Sequence, residues 1–204
     1  TMQALQAIKV VLNLGDQPLA NSLCDPKESK LPVIPLRLLF CSECKSVQIG
    51  ESVNPQNLFS KYVWVTGTSK AAENHSHYFF HKALSHNDKI KPYVVEIASN
   101  DGTFLQPFKG AGCRVLGIDP AKNIAEIAVN NGIPTVVEFF NECIANQLVN
   151  DEGLADIVFA RNVIPHVKEI HSVIEGIKIL LDNNGTGIIE FHDAGKILKE
   201  SHYD

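Results

Sequence analysis

The chain holds 204 residues, 45% apolar and 20% charged, which excludes a disordered protein and suffices for one or two domains. Lys and Arg number 18 against 23 Asp and Glu, a formal charge of −5 with no basic block, so no dedicated binder of nucleic acid or anionic membranes is expected. No apolar run approaches the roughly 18–20 residues of a membrane span, and Thr1-Met2-Gln3-Ala4 lacks the start of a signal peptide, so the expected location is cytoplasmic.

Residues 1–65 are rich in Pro, Leu and turn formers and carry no long helical period, as expected of a small β-rich domain. Gly15-Asp16-Gln17-Pro18 and Asn54-Pro55-Gln56-Asn57 read as turns. Residues 66–90 read as a linker with a helix across 70–88. The five cysteines, at 24, 41, 44, 113 and 143, are an odd set and no disulfide framework. Cys113 and Cys143 lie in patterns that read as buried core thiols.

From residue 91 onward strands and helices alternate. Apolar runs at 93–98, 114–119, 135–138, 155–160 and 187–191 read as five strands. Helices are expected near 104–109, across 120–130 up to the Asn131-Gly132 cap, and across 167–182 up to Asn183-Asn184-Gly185. The pattern is that of an α/β fold, a parallel sheet clad in helices, which binds ligands at the carboxyl ends of its strands.

The first strand-to-helix turn is Glu96-Ile97-Ala98-Ser99-Asn100-Asp101-Gly102. Its small residues allow close approach of a ligand, and Gly102 permits backbone angles that a side chain would oppose. A dinucleotide diphosphate calls for G-x-G-x-x-G here. This turn has one glycine and two acids, which repel phosphate and suit an amine or a sulfonium, as in S-adenosylmethionine. Asp119 ends the second strand, placed either to accept two ribose hydroxyls or to cap the helix after Pro120-Ala121. Asn162 and His166 follow the fourth strand at the same edge; each reads as a wall of a methyl-transfer cavity, with a surface or capping histidine as the other reading of His166. His171 is expected to face solvent.

Together these residues carry a family resemblance. The run from Val95 through Gly102-Thr103-Phe104-Leu105, then Leu116-Gly117-Ile118-Asp119-Pro120-Ala121, then Arg161-Asn162-Val163 with His166-Val167, resembles the S-adenosylmethionine-dependent C-methyltransferases of deoxysugar biosynthesis. Upstream, Leu12-Asn13-Leu14-Gly15-Asp16-Gln17-Pro18-Leu19-Ala20-Asn21 and Pro35-Leu36 through Cys41-Ser42-Glu43-Cys44 resemble that family's zinc-binding domain. Tyr62-Val63-Trp64-Val65-Thr66-Gly67-Thr68-Ser69 with His75 resembles its linker.

The resemblance implies a Rossmann-like class I methyltransferase sheet over 91–204, preceded by a zinc-ribbon-like domain. It implies that Glu96 and Asp101 hold the amino-acid end of the cofactor, with Ala98, Ser99, Asn100 and Gly102 lining the turn. Asp119 and Pro120 would meet the ribose, and Phe139, Phe140 and Asn141 the adenine. Asn162 and His166 would face the methyl group and Tyr62 the substrate, a nucleotide-linked keto-deoxysugar methylated on carbon. Trp64 stands where the family tends to have a tyrosine, and packing between domains is the other reading of Tyr62 and Trp64.

The chain departs from the family at three places. Thr1 and Ala4 stand about where the first cysteine pair falls, so Cys41 and Cys44 read either as part of a zinc site or as a metal-free knuckle with reduced thiols. Ala98 replaces a usual glycine. The sequence given ends at Ser201-His202-Tyr203-Asp204, before the family's Tyr and Glu-His segment with its general base, and five strands replace the family's seven. The expectation is a fragment, a split protein or a decayed copy, inactive alone. Its open fifth strand would meet a C-terminal segment or a second copy. A non-catalytic cofactor-binding or zinc-ribbon interaction module is the alternative. A nicotinamide-dependent oxidoreductase, using the same Asp119, is disfavoured by the missing glycines.

Overall fold

A computed structural model describes residues 8–21, 25, 27 and 31–200. Thr1, Ala4 and Cys24 lie outside the described residues. The chain divides into two compact units, residues 1–59 and 60–204.

The first unit is an antiparallel sheet of β1 (Ile8–Pro18), β2 (Val33–Cys41) and β3 (Val47–Ile49), in that order, followed by a short helix α1 (Pro55–Phe59). Gly15-Asp16-Gln17-Pro18 is not a free turn but the end of β1. The strand absorbs its turn formers through a register shift between Asn13 and Asp16, with Gly15 at φ 70°. Asn54 turns the chain into α1 by accepting the Gln56 N–H at 3.0 Å.

In the second unit, β4 (Tyr93–Ile97), β5 (Arg114–Ile118), β6 (Thr135–Val136), β7 (Ala155–Arg161) and β8 (Leu181–Glu190) form a five-stranded parallel sheet in the order β6-β5-β4-β7-β8. The helices are α2 (Lys70–Leu84), α3 (Gln106–Gly110), α4 (Lys122–Asn130), α5 (Glu142–Glu152), α6 (Ile170–Leu180) and α7 (Ala194–Glu200). Successive strand residues point to opposite faces. Val95, Ile97, Val158 and Ala160 pack with Ala145 and Leu148 of α5 and Val173, Ile177 and Leu180 of α6. Val94, Val115, Ile157 and Phe159 pack with Phe79 and Ala83 of α2, Phe108 of α3 and Ala128 of α4. Both faces are therefore covered, which is why β4 and β7 read as unbroken apolar runs. Chain order reverses between β4 and β7, and this switch point opens a crevice at the carboxyl ends.

Four further points of the sequence reading need correction. Helix α5 was absent from the sequence-based pattern, because only Ala145 and Leu148 of its residues are buried. Cys143 lies on its outer side and is exposed, whereas Cys113 is buried as expected. Strand β6 stops at Val136, short of the expected 138, and β8 begins at Leu181, directly after α6. Among the described residues, no helix is long and apolar enough to cross a membrane.

Candidate functional site

The crevice is built from the turns that follow β4, β5 and β7. Three non-glycine residues there hold left-handed backbone angles: Ala98 at φ 55°, Asn100 at φ 50° and Asn162 at φ 52°. Asparagine tolerates this region, whereas alanine pays about 1–2 kcal/mol for it. Gly102 has φ 78°, and a Cβ there would come within 2.8 Å of Ile133. The turn after β4 is thus wound tightly, with backbone where side chains would otherwise stand.

Glu96, the penultimate residue of β4, is 2% exposed. Its Oε2 has no hydrogen-bond partner among the described residues, and its Oε1 lies 4.0 Å from Arg161 Nη1. Burial pushes the Glu96 carboxyl well above its ordinary value, opposed by the Arg161 charge. Ser99 Oγ is likewise buried and unpartnered. Asp119, 6% exposed, is raised by burial and lowered in part by two backbone donors. These are the Ala121 N–H to Oδ1 and the Asn100 N–H to Oδ2, both at 2.8 Å.

Asp101 stands in the turn after β4, and like Asp119 it has a partner on each oxygen. Oδ2 accepts the Gly67 N–H at 2.8 Å, and Oδ1 accepts the Thr103 hydroxyl at 2.7 Å. Pro120 is half-buried beside Asp119. Phe139 is half-buried, whereas Phe140 is in the core and Asn141 caps α5, accepting the Ile144 N–H at 3.1 Å. Asn162 and His166 are exposed after β7, where the Asn162 N–H donates to the Glu190 carbonyl at 2.7 Å. Tyr62 is half-buried, its backbone paired with the side chain of Asn123.

The sequence pattern missed a polar chain that crosses this edge. Arg161 Nε donates to Glu190 Oε1 at 3.0 Å, and Glu190 Oε2 lies 2.8 Å from His75 Nε2. The Arg161 guanidinium also lies over the Phe104 ring. His75, Glu190, Arg161 and Glu96 therefore connect α2, β8, β7 and β4. Glu96 stood out at its strand end, and Arg161 and His75 lay within the stretches that carry the resemblance, but nothing in the sequence linked them to Glu190 or to one another; the sheet brings the four together. An open groove of about 620 Å³ borders the turn after β4 at Gly67 and Thr103 and runs between Glu73, His77 and His81 of α2 and Gln106 and Pro107 of α3.

In the first unit, Cys41 and Cys44 flank a tight bend in which the Lys45 N–H donates to the Cys41 carbonyl at 2.9 Å and Lys45 has φ 62°. Cys44 is exposed, and its Sγ lies 3.1 Å from Ser46 Oγ, a contact that lowers its pKa. Among the described residues no group of three or more His, Cys, Asp or Glu side chains is arranged to hold a metal.

Comparison with known proteins places this architecture. Residues 71–202 match the family model described as "Methyltransferase domain", and residues 5–59 match one described as "Putative zinc binding domain". The chain belongs to the methyltransferase-domain family. It is 28% identical over 197 residues to the C-methyltransferase NovU of Streptomyces niveus, covering 95% of this chain and 47% of that protein. The chain thus spans about half the length of the curated relative it matches. Among solved structures, the PH0226 protein of Pyrococcus horikoshii OT3 is similar with a TM-score of 0.56 at 17% identity, covering 74% of this chain and 67% of that one. DesVI of Streptomyces venezuelae is similar with a TM-score of 0.50 at 12% identity, covering 68% of this chain and 56% of that one. These two likenesses concern the fold. The family match assigns the sheet to the methyltransferases, not to the nicotinamide-dependent oxidoreductases.

Proposed function

We propose that this chain carries the cofactor-binding part of an S-adenosylmethionine-dependent C-methyltransferase acting on a nucleotide-linked keto-deoxysugar. The observation that carries the reading is Glu96, a carboxyl group sealed at the end of β4 with one oxygen lacking a hydrogen-bond partner among the described residues. A buried acid left unpaired is costly unless a ligand completes it. A diphosphate is disfavoured beside an acid, whereas an ammonium or sulfonium adds to the Arg161 charge and favours the ionised form of Glu96 against its burial. When bound, S-adenosylmethionine supplies an electrophilic methyl group.

The chain's own residues have separable tasks. Glu96 accepts from the cofactor's amino group, and Ser99 Oγ offers a further polar contact. Asp119 keeps lone pairs free beyond its two backbone donors and takes ribose hydroxyls. Asp101, bonded to Gly67 and Thr103, keeps lone pairs free as Asp119 does and stands with Glu96 at the cofactor's amino-acid end. Asn162 and His166 line the edge after β7 and orient the reacting carbon. His166 and Tyr62 are the two candidates that carry a transferable proton. Transfer to carbon is supported by the likeness to the C-methyltransferase NovU, and the sugar is proposed from the family resemblance, including the linker motif around Tyr62.

Calorimetry of the chain with S-adenosylhomocysteine tests the cofactor reading. Saturable binding is expected, with no heat from NAD, and Glu96→Gln weakens it by about tenfold, or 1.4 kcal/mol. Absence of binding at millimolar ligand overturns the reading. Methyl transfer is tested with a keto-deoxysugar nucleotide, and the chain alone is expected to bind cofactor without turnover. Turnover by the 204-residue chain would remove the non-catalytic alternative.

A further inference from the structure

Residues 62–65 run as an irregular segment at the carboxyl edge of β4 and β5 and lead into a 3-10 helix over Thr66–Thr68, and side chains hold them there. Asn123, in the first turn of α4, pairs with the Tyr62 backbone in both directions. Its Oδ1 accepts the Tyr62 N–H at 3.1 Å, and its Nδ2 donates to the Tyr62 carbonyl at 2.7 Å. Asn100 does the same further on: Oδ1 accepts the Thr66 N–H at 2.9 Å and Nδ2 donates to the Trp64 carbonyl at 3.1 Å. Asp101 adds the Gly67 N–H at 2.8 Å. A side-chain amide offers a donor and an acceptor side by side, as a neighbouring strand would, so two asparagines replace a missing strand partner.

One of these clamps is tied to the proposed ribose acid. The Asn100 N–H donates to Asp119 Oδ2, and Asn100 is held in the left-handed region that brings its amide over the segment. Asn123 follows Asp119 within the same turn-to-helix connection. Asp119 therefore sits between a ligand site and the side chains that hold Tyr62 and Trp64 in place.

We propose that Asn100 and Asn123 are positioning residues, which fasten the 62–67 strap across the crevice and pass the occupancy of Asp119 on to Tyr62 and Trp64. The inference rests on the cofactor reading above. Asparagine is required in place of aspartate, because a carboxylate accepts but cannot donate to the Trp64 and Tyr62 carbonyls.

The chain has a single tryptophan, Trp64, which is half exposed on the strap, so its emission reports this segment alone. The test titrates the 204-residue chain with S-adenosylhomocysteine and follows emission and binding heat in parallel. In the wild type, emission changes with the same midpoint as the heat. In Asn100→Asp and Asn123→Asp, binding heat persists with affinity weakened up to tenfold, while the emission change falls at least fivefold. Binding heat without an emission change in the wild type overturns the inference and leaves the cofactor reading intact. An undiminished emission change in both variants also overturns it. No heat and no emission change overturns both. Hydrogen exchange on the wild type keeps the inference falsifiable if a variant does not fold. The Tyr62, Thr66 and Gly67 amides are expected to be protected, with at least a tenfold gain on ligand binding, and unprotected or ligand-insensitive amides there overturn it.

Discussion

Glu96 shows how a single side chain can cost stability and still be needed. Burial holds its proton, so the folded chain keeps a proton that the unfolded chain releases near the ordinary glutamate value of about 4.3. Stability therefore falls as pH rises from that value toward the raised folded one. Glu96→Gln is expected to match the wild type in denaturant midpoint near pH 4 and to exceed it at pH 8 by about 1–2 kcal/mol. Asp119 shifts the same way, for the same cause, against the Ala121 and Asn100 donors. Ala98 presents the opposite case, a side chain where none is wanted. Relief of its left-handed strain outweighs the chain entropy that glycine adds, so Ala98→Gly is expected to stabilise by about 0.5–1 kcal/mol in urea melts. Of the residue-scale features, the strand-ending acids Glu96 and Asp119 were legible, since an acid closing an apolar run stands out. The engagement of Asp101 with Gly67 was not, because those residues are 34 apart in sequence and nothing local signals the bond.

At the scale of elements, legibility followed burial. The strands β4, β5 and β7 are sealed on both faces and read as plain apolar runs. Helix α5 hides only two residues, so its sequence Glu142-Cys143-Ile144-Ala145-Asn146 gave no clear period. β1 disguised itself differently, carrying turn formers inside a strand by means of a bulge. The chain of His75, Glu190, Arg161 and Glu96 was invisible for a third reason: it exists only once α2 and three strands share an edge. Packing between β5 and the first turn sets a further expectation. A Cβ on Gly117 would collide with Ser99 Oγ and lie 3.1 Å from Thr135 Oγ1. Gly117→Ala is therefore expected to displace the turn, costing about 1–3 kcal/mol of stability by overpacking. Calorimetry should show S-adenosylhomocysteine binding weakened alongside the lowered melting temperature.

The whole chain joins two units of unequal self-sufficiency. Residues 60–204 bury two apolar clusters, one on each face of their sheet. Among the described residues of the first unit, β1, β2 and β3 form one sheet, whose Val10, Val11, Leu14 and Ile49 are each more than half exposed. The matches fall on separate stretches, residues 5–59 for the putative zinc binding domain and residues 71–202 for the methyltransferase domain. The molecule's net charge of −5 is spread over a surface that dissolved ions screen within about 10 Å at 0.1 M ionic strength. Glu96 and Asp119 are recessed from that atmosphere, at 2% and 6% exposure. Ordinary exposed ion pairs fade as electrolyte is added, whereas contacts made inside the recess keep their strength. The dissociation constant for S-adenosylhomocysteine should accordingly change less than about twofold between 50 and 500 mM sodium chloride. A steep decline in affinity across that range would mean that the cofactor is held by surface charges and not by the sealed carboxylates.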